Sequence, residues 1–243
     1  MIDSIEPLIV LILILFQSIF GVGLLMFGTP TFLMLGYSFP ETLALLLPVS
    51  IIISSLQFFF SSEKDNSFIF DFTILCLPFV IIFLYLALTF HQVINFELYT
   101  SVIIILFSII NLFKIKLLFK NRFSQIKKKI ILILIGIIHG LTNLGGSLLA
   151  IFSTSISNSK KDLSRYYISY GYMTMSLIQI MILLIFDREY FSYNIIYYII
   201  MVFVFYFPTQ KVFKKFNNKR FSKIINILAL IFGLNILANS FFS

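Results

Sequence analysis

Polar groups stranded inside apolar runs are where this chain could do chemistry. His139, Thr142 and Asn143 stand in one such run, followed at once by Gly145-Gly146-Ser147, and Gly28-Thr29-Pro30 interrupts another. Two further runs each carry a serine and an amide three residues apart, Ser54-x-x-Gln57 and Ser176-x-x-Gln179. That spacing puts hydroxyl and amide on one helix face, and Gln at such depth normally faces the inside of a bundle. The chemistry on offer is hydrogen bonding to a small polar solute. His139 could also carry a proton with it, because imidazole titrates near neutrality. Each feature has a plainer reading as well: an interhelical hydrogen bond for either Gln, a hydrogen-bonded structural role for the His, and close helix packing for the glycines.

Catalysis finds no footing. The chain has no GxSxG elbow, no HExxH and no acidic cluster fit for a metal. With two His and one Cys, Cys76, neither a metal centre nor a disulfide is expected. The expectation is no enzyme, no cofactor and no metal.

The elements that must hold these groups are membrane helices. Of the 243 residues 60% are hydrophobic and 12% charged, and the mean hydropathy is +1.03, well outside the soluble range. About eight runs long enough to cross a bilayer can be cut, at 8–27, 42–60, 68–90, 98–119, 130–156, 164–186, 192–208 and 224–240. Asp3 and Glu6 precede the first run and no Lys or Arg does, so it reads as part of the fold and not as a secretory signal. The net charge of +8 sits at span ends, where it orients the chain in the bilayer and does not point to nucleic acid.

One stretch occurs twice. QSIFGVGLLMFGTPTFLMLG (17–36) lies over LIGIIHGLTNLGGSLLAIFS (134–153), with Gly23-x4-Gly28 matching Gly140-x4-Gly145. Both are apolar segments broken in the middle. If the segments 8–37 and 130–157 enter the membrane and return, then Lys64, the run Lys114 to Lys129, Lys160, Lys161, Arg165 and the run Lys211 to Lys223 all fall on the cytoplasmic side, and Arg188 alone lies outside. Each half, 1–120 and 121–243, becomes a re-entrant hairpin plus three spanning helices. The fold class is therefore an all-α polytopic membrane protein of two inverted repeats, with both termini extracytoplasmic in a bacterial inner membrane.

At the tips, Thr29-Pro30 reads as an N-cap and first helical position, and Ser147 as a cap after two glycines. Two half-helix N-termini would then point inward, and their free N–H groups favour an anion. All Lys and Arg lie in connections or at span ends, so an anion would be met by N–H groups, hydroxyls and amides and not by a buried cation.

The segments FGVGLLMFGTPTFLMLGYSFPE and GIIHGLTNLGGSLLAIF, each followed by a polar-spotted span, resemble the sulfite exporter TauE/SafE family over nearly the whole chain. Family members carry a G-x-G-G-G-type break once per half; Gly28-Thr29-Pro30 and Gly145-Gly146-Ser147 are a reduced form of it. The resemblance implies transport of sulfite, an organosulfonate or a related organic acid, with those six residues in the substrate site. Gln57, Asn143, His139 and Gln179 join the set from burial and symmetry. The expected partners are a small anionic solute and the lipid bilayer; a homo-oligomer is left open. An anion-selective channel and a non-transporting scaffold are the alternatives.

Overall fold

The computed structural model describes residues 2–90, 125–157, 160–186 and 189–217, with isolated helical positions at 102, 105 and 234. The expected spans 98–119 and 224–240, and Arg188, lie outside the described residues. Every regular element among the described residues is a helix: α1 Ile2–Phe20, α2 Leu24–Met34, α3 Phe39–Phe59, α4 Asn66–Leu75, α5 Leu77–Thr89, α6 Gln125–Thr142, α7 Gly145–Ile156, α8 Lys161–Phe186 and α9 Ile195–Lys215.

Local chemistry explains the starts and stops. Ser38 and Glu41 form a reciprocal capping box ahead of α3, with Pro40 in its first turn. Asp65 caps α4 by accepting from the Phe68 N–H at 3.1 Å. Pro78 brings no N–H to the ladder, and α4 and α5 meet at Cys76; the two together make one apolar stretch, Asn66–Thr89. Among the described residues four helical stretches are long and apolar enough to cross a membrane: Phe39–Phe59, Asn66–Thr89, Lys161–Phe186 and Ile195–Lys215. Shorter apolar helices include Leu24–Met34 and Gly145–Thr154. The outside is covered by apolar side chains such as Ile81, Ile82, Phe203 and Phe207, each about half exposed, and Ile185, 83% exposed. Only a hydrocarbon solvent tolerates such a surface around so apolar a chain.

The centre of the bundle is the pairing of α3 with α8, its most extensive helix contact. Around it α1 packs on α9 and α6 on α5, while α2 packs on α3 and α7 on α8. The α6–α5 contact is backbone to backbone. A Cβ on Gly136 would lie 2.3 Å from the Cys76 carbonyl oxygen, and one on Gly140 would lie 2.8 Å from that of Val80. These two glycines, four apart, are packing residues.

Both broken segments are helical hairpins. The first is closed at its open end by Glu6 of α1, which accepts from the hydroxyl of Tyr37 just beyond α2 and from that of Tyr198 on α9. The described basic residues gather at the opposite end, where α3 and α9 finish and α4, α6 and α8 begin: Lys64, Lys127 to Lys129, Lys160, Lys161, Arg165, Lys211, Lys214 and Lys215. Contacts between Asp65 and Tyr167, and between Arg165 and Gln210, tie that end together.

Candidate functional site

The first break falls at Gly21–Gly23, earlier than the expected Thr29-Pro30. Gly21 and Gly23 have φ of 78° and 135°, a region that side-chain-bearing residues rarely enter, so the chain turns there. Thr29 and Pro30 instead lie buried inside α2, and Gly28 is a close-packing position against Leu13 and Leu46. The start of α2 is served by Gln17, whose Oε1 accepts from the Leu24 N–H at 3.2 Å.

The second break falls at Asn143–Leu144, with Asn143 in the left-handed region at φ 61°. Asn is among the few residues that tolerate it. Gly145, Gly146 and Ser147 form the first turn of α7, so the two glycines lie inside the helix and not ahead of it, and Ser147 is not the cap. Leu144 occupies that position with no side-chain bond, and the Ser147 hydroxyl donates back to the Leu144 carbonyl at 2.8 Å. Leu24 and Gly145 are thus the corresponding helix starts, and the alignment of Gly28 on Gly145 is out of register by about one turn.

The polar side chains form two clusters. At the first break, Gln17 Nε2 donates to Ser50 Oγ (3.3 Å) and Ser54 Oγ (3.2 Å). Gln57 Nε2 donates to the carbonyls of Gln17 (2.8 Å) and Ser18 (3.4 Å). At the second break, His139 Nε2 meets Gln179 Oε1 at 3.0 Å. Asn143 Nδ2 donates to Thr29 Oγ1 at 2.9 Å, joining the two hairpins. A Cβ on Gly146 would fall 1.8 Å from the Tyr172 hydroxyl, and the Tyr172 ring meets His139 edge-on, 6.3 Å between centroids. Ser176 Oγ approaches Ser50 Oγ at 3.5 Å, a thin seam between the clusters across α3 and α8. Counting helical rise from those serines, Gln57 and Gln179 lie roughly 15 Å apart along the bundle. They do not share one pocket.

His139, Asn143, Tyr172 and Gln179 are fully buried. Even so, His139 Nδ1, Asn143 Oδ1, Tyr172 OH and Gln179 Nε2 have no partner, and neither does Gln57 Oε1 at the other cluster. Each orphan costs about 1–3 kcal/mol, and they gather around one helix N-terminus, that of α7. With the Gln179 amide oriented as found, His139 donates through Nε2 and leaves the Nδ1 lone pair facing inward.

Arg165 lies at the basic end of its span and is partly buried there. Arg165, in the second turn of α8, sends Nη2 to the Ser18 carbonyl (3.3 Å) and to Gln210 Oε1 (2.6 Å). Sequence reading also passed over Gln17, Ser18, Tyr172 and Gln210. A signal for Gln17 was present: it precedes Gln57 by 40 residues, as His139 precedes Gln179. No group of His, Cys, Asp or Glu among the described residues could hold a metal.

Spanning helices, a lipid-facing apolar surface and two broken hairpins define a polytopic membrane protein with unpaired polar groups buried inside it. A family model, Sulfite exporter TauE/SafE, matches residues 7–236. The chain belongs to that family, which is one of transporters; membership indicates movement of sulfite or related anions through a membrane. No curated protein and no solved structure matches significantly.

Proposed function

We propose that the chain is a secondary transporter of a small anion, sulfite or a related sulfonate or organic acid, working by alternating access in a bacterial inner membrane. Its halves are 1–120 and 121–243, inverted relative to each other, with the basic end cytoplasmic and the N-terminal Glu6 end outside. The matching contacts of the two halves support this: α1 on α9 beside α6 on α5, and α2 on α3 beside α7 on α8. So does the placement of the hairpins, the first opening at Glu6 and the second beginning and ending among basic residues.

The observation that carries the reading is the pair of unpaired donors at the start of α7, the Tyr172 hydroxyl and the Gln179 amide. An oxoanion offers several acceptors to the Gln179 amide, the Tyr172 hydroxyl and the first N–H groups of α7. Protonation of His139 at Nδ1 would add a charged donor and couple a proton to the solute.

Sulfite counterflow in proteoliposomes tests it. Saturable exchange is expected, reduced at least about tenfold by Gln179→Leu, which removes one charge-assisted hydrogen bond to the anion. Steady conductance without saturation would instead mean a channel. No flux and no sulfite-induced thermal stabilisation would leave a scaffold. His139→Gln should keep exchange but abolish acidification linked to net flux.

A further inference from the structure

A cavity of about 500 Å³ opens at the basic end between the ends of α3, α8 and α9. Lys161, Arg165 and Lys214 line it, with Asp162 the carboxylate among them, so three cations face one anion. Gln57 and Gln210 add amides, and aromatic rings from Phe60, Tyr206, Phe207 and Phe213 complete the wall. The cavity reaches the first chain break. A Cβ on Gly21 would stand 3.5 Å from Arg165 Cγ and 3.8 Å from Gln57 Oε1.

Arg165 is held in place. Its guanidinium lies over the Phe213 ring, 4.2 Å from the centroid, with the Lys161 ammonium 4.6 Å from the same ring. Nη2 binds the Ser18 carbonyl and Gln210, while the buried Nε has no partner. A planar fork fixed on one side and carrying a spare donor suits an oxoanion or carboxylate. The three cations share one concave mouth, where their fields add.

We propose that this cavity is a vestibule binding small oxoanions or carboxylates, with Arg165 as its ligating residue and Lys161 and Lys214 drawing the anion in before it passes the first break. The inference rests on the anion-transport reading and adds to it a second binding station, on the cytoplasmic side. The second cluster, around Gln179, is fully enclosed, whereas this cavity opens at the basic end.

Arg165 also ties down the broken end of α1, and Arg165→Gln could act through that structure. Lys214 is exposed, so Lys214→Gln isolates the electrostatic effect. Sulfite counterflow is measured in phosphatidylcholine vesicles, with sidedness fixed in a Ser67→Cys background, exposed at the start of α4 and outside the cavity lining, by an impermeant maleimide that is washed out before assay.

Arg165→Gln should raise the half-saturation for sulfite from the basic end roughly tenfold, and Lys214→Gln by a smaller factor, with the other end little changed. The vestibule is overturned if half-saturation from the basic end stays unchanged in both variants, or shifts equally from both ends. It is also overturned if the dependence on Arg165 arises only when phosphatidylglycerol is added, which would mark a lipid headgroup site. Thermal stabilisation by sulfite, read on the purified full chain, separates the two claims. Arg165-dependent stabilisation without flux would keep the vestibule and sink the transport reading, and flux indifferent to Arg165 would do the reverse.

Discussion

Gln17 shows how much one side chain can organise when the backbone around it is broken. It bonds Ser50, Ser54 and the Leu24 N–H at once, and no water competes at that depth. Gln17→Leu should therefore cost about 1–3 kcal/mol through the orphaned Leu24 N–H and hydroxyls, read as a lowered midpoint in denaturation of the purified protein. Gly146 makes the complementary case. A methyl there would overlap the Tyr172 hydroxyl and ring, so Gly146→Ala should cost about 1–3 kcal/mol and displace Tyr172 from His139. Loss of sulfite-induced stabilisation beyond the general drop in midpoint would report that displacement. These residues were only half legible from sequence. Gln179 and His139 stood out as polar groups in apolar runs, and Gln17 was marked only by its 40-residue spacing to Gln57, whereas Tyr172 had no feature that separated it from interfacial tyrosines.

The element that depends most on small residues is α6, whose glycines seat it on the kink at Cys76. At Gly136 the obstacle is a backbone carbonyl, which cannot rotate away. Gly136→Ala should cost about 3 kcal/mol, the upper end for overpacking, by prising α6 from α5. Gly36 is the control: it has φ 90° and nothing within 4 Å of an added Cβ, so Gly36→Ala should cost only the backbone strain, about 1–2 kcal/mol. Differential scanning of both variants in detergent checks the order; equal losses would contradict the packing account. Glycine count alone could not sort these roles. A glycine that turns the chain, one that admits a neighbouring helix and one that faces a tyrosine look alike in sequence, because the distinction lies in what stands opposite the missing side chain.

At the scale of the whole molecule the bundle has a basic end and an end closed on Glu6. Cys76, the chain's single cysteine, is fully buried, so single-cysteine labelling starts from a silent background. Tyr193→Cys, at a position 89% exposed, and Ser38→Cys should react with an impermeant thiol reagent in intact cells. Lys127→Cys and Ser62→Cys should react only after permeabilisation. Residue 38 reacting together with residue 127 would break the proposed inversion of the two hairpins.

Composition and charge placement sufficed to establish an all-helical membrane protein, because apolar length and basic flanks are one-dimensional properties of the chain; the family came from the resemblance of the paired broken segments and from the family model that matches residues 7–236. The presence of two breaks was likewise written in the glycines. Where each helix restarts was not: Leu24 rather than Thr29, and Leu144 rather than Ser147 as the cap, depend on positive φ at Gly21, Gly23 and Asn143 and on Gln17 arriving from the preceding helix. Tertiary packing alone decided that Gln57 and Gln179 occupy separate clusters, and that Arg165 turns inward beside one of them. Helix rotation and crossing set those distances, and no local spacing encodes them.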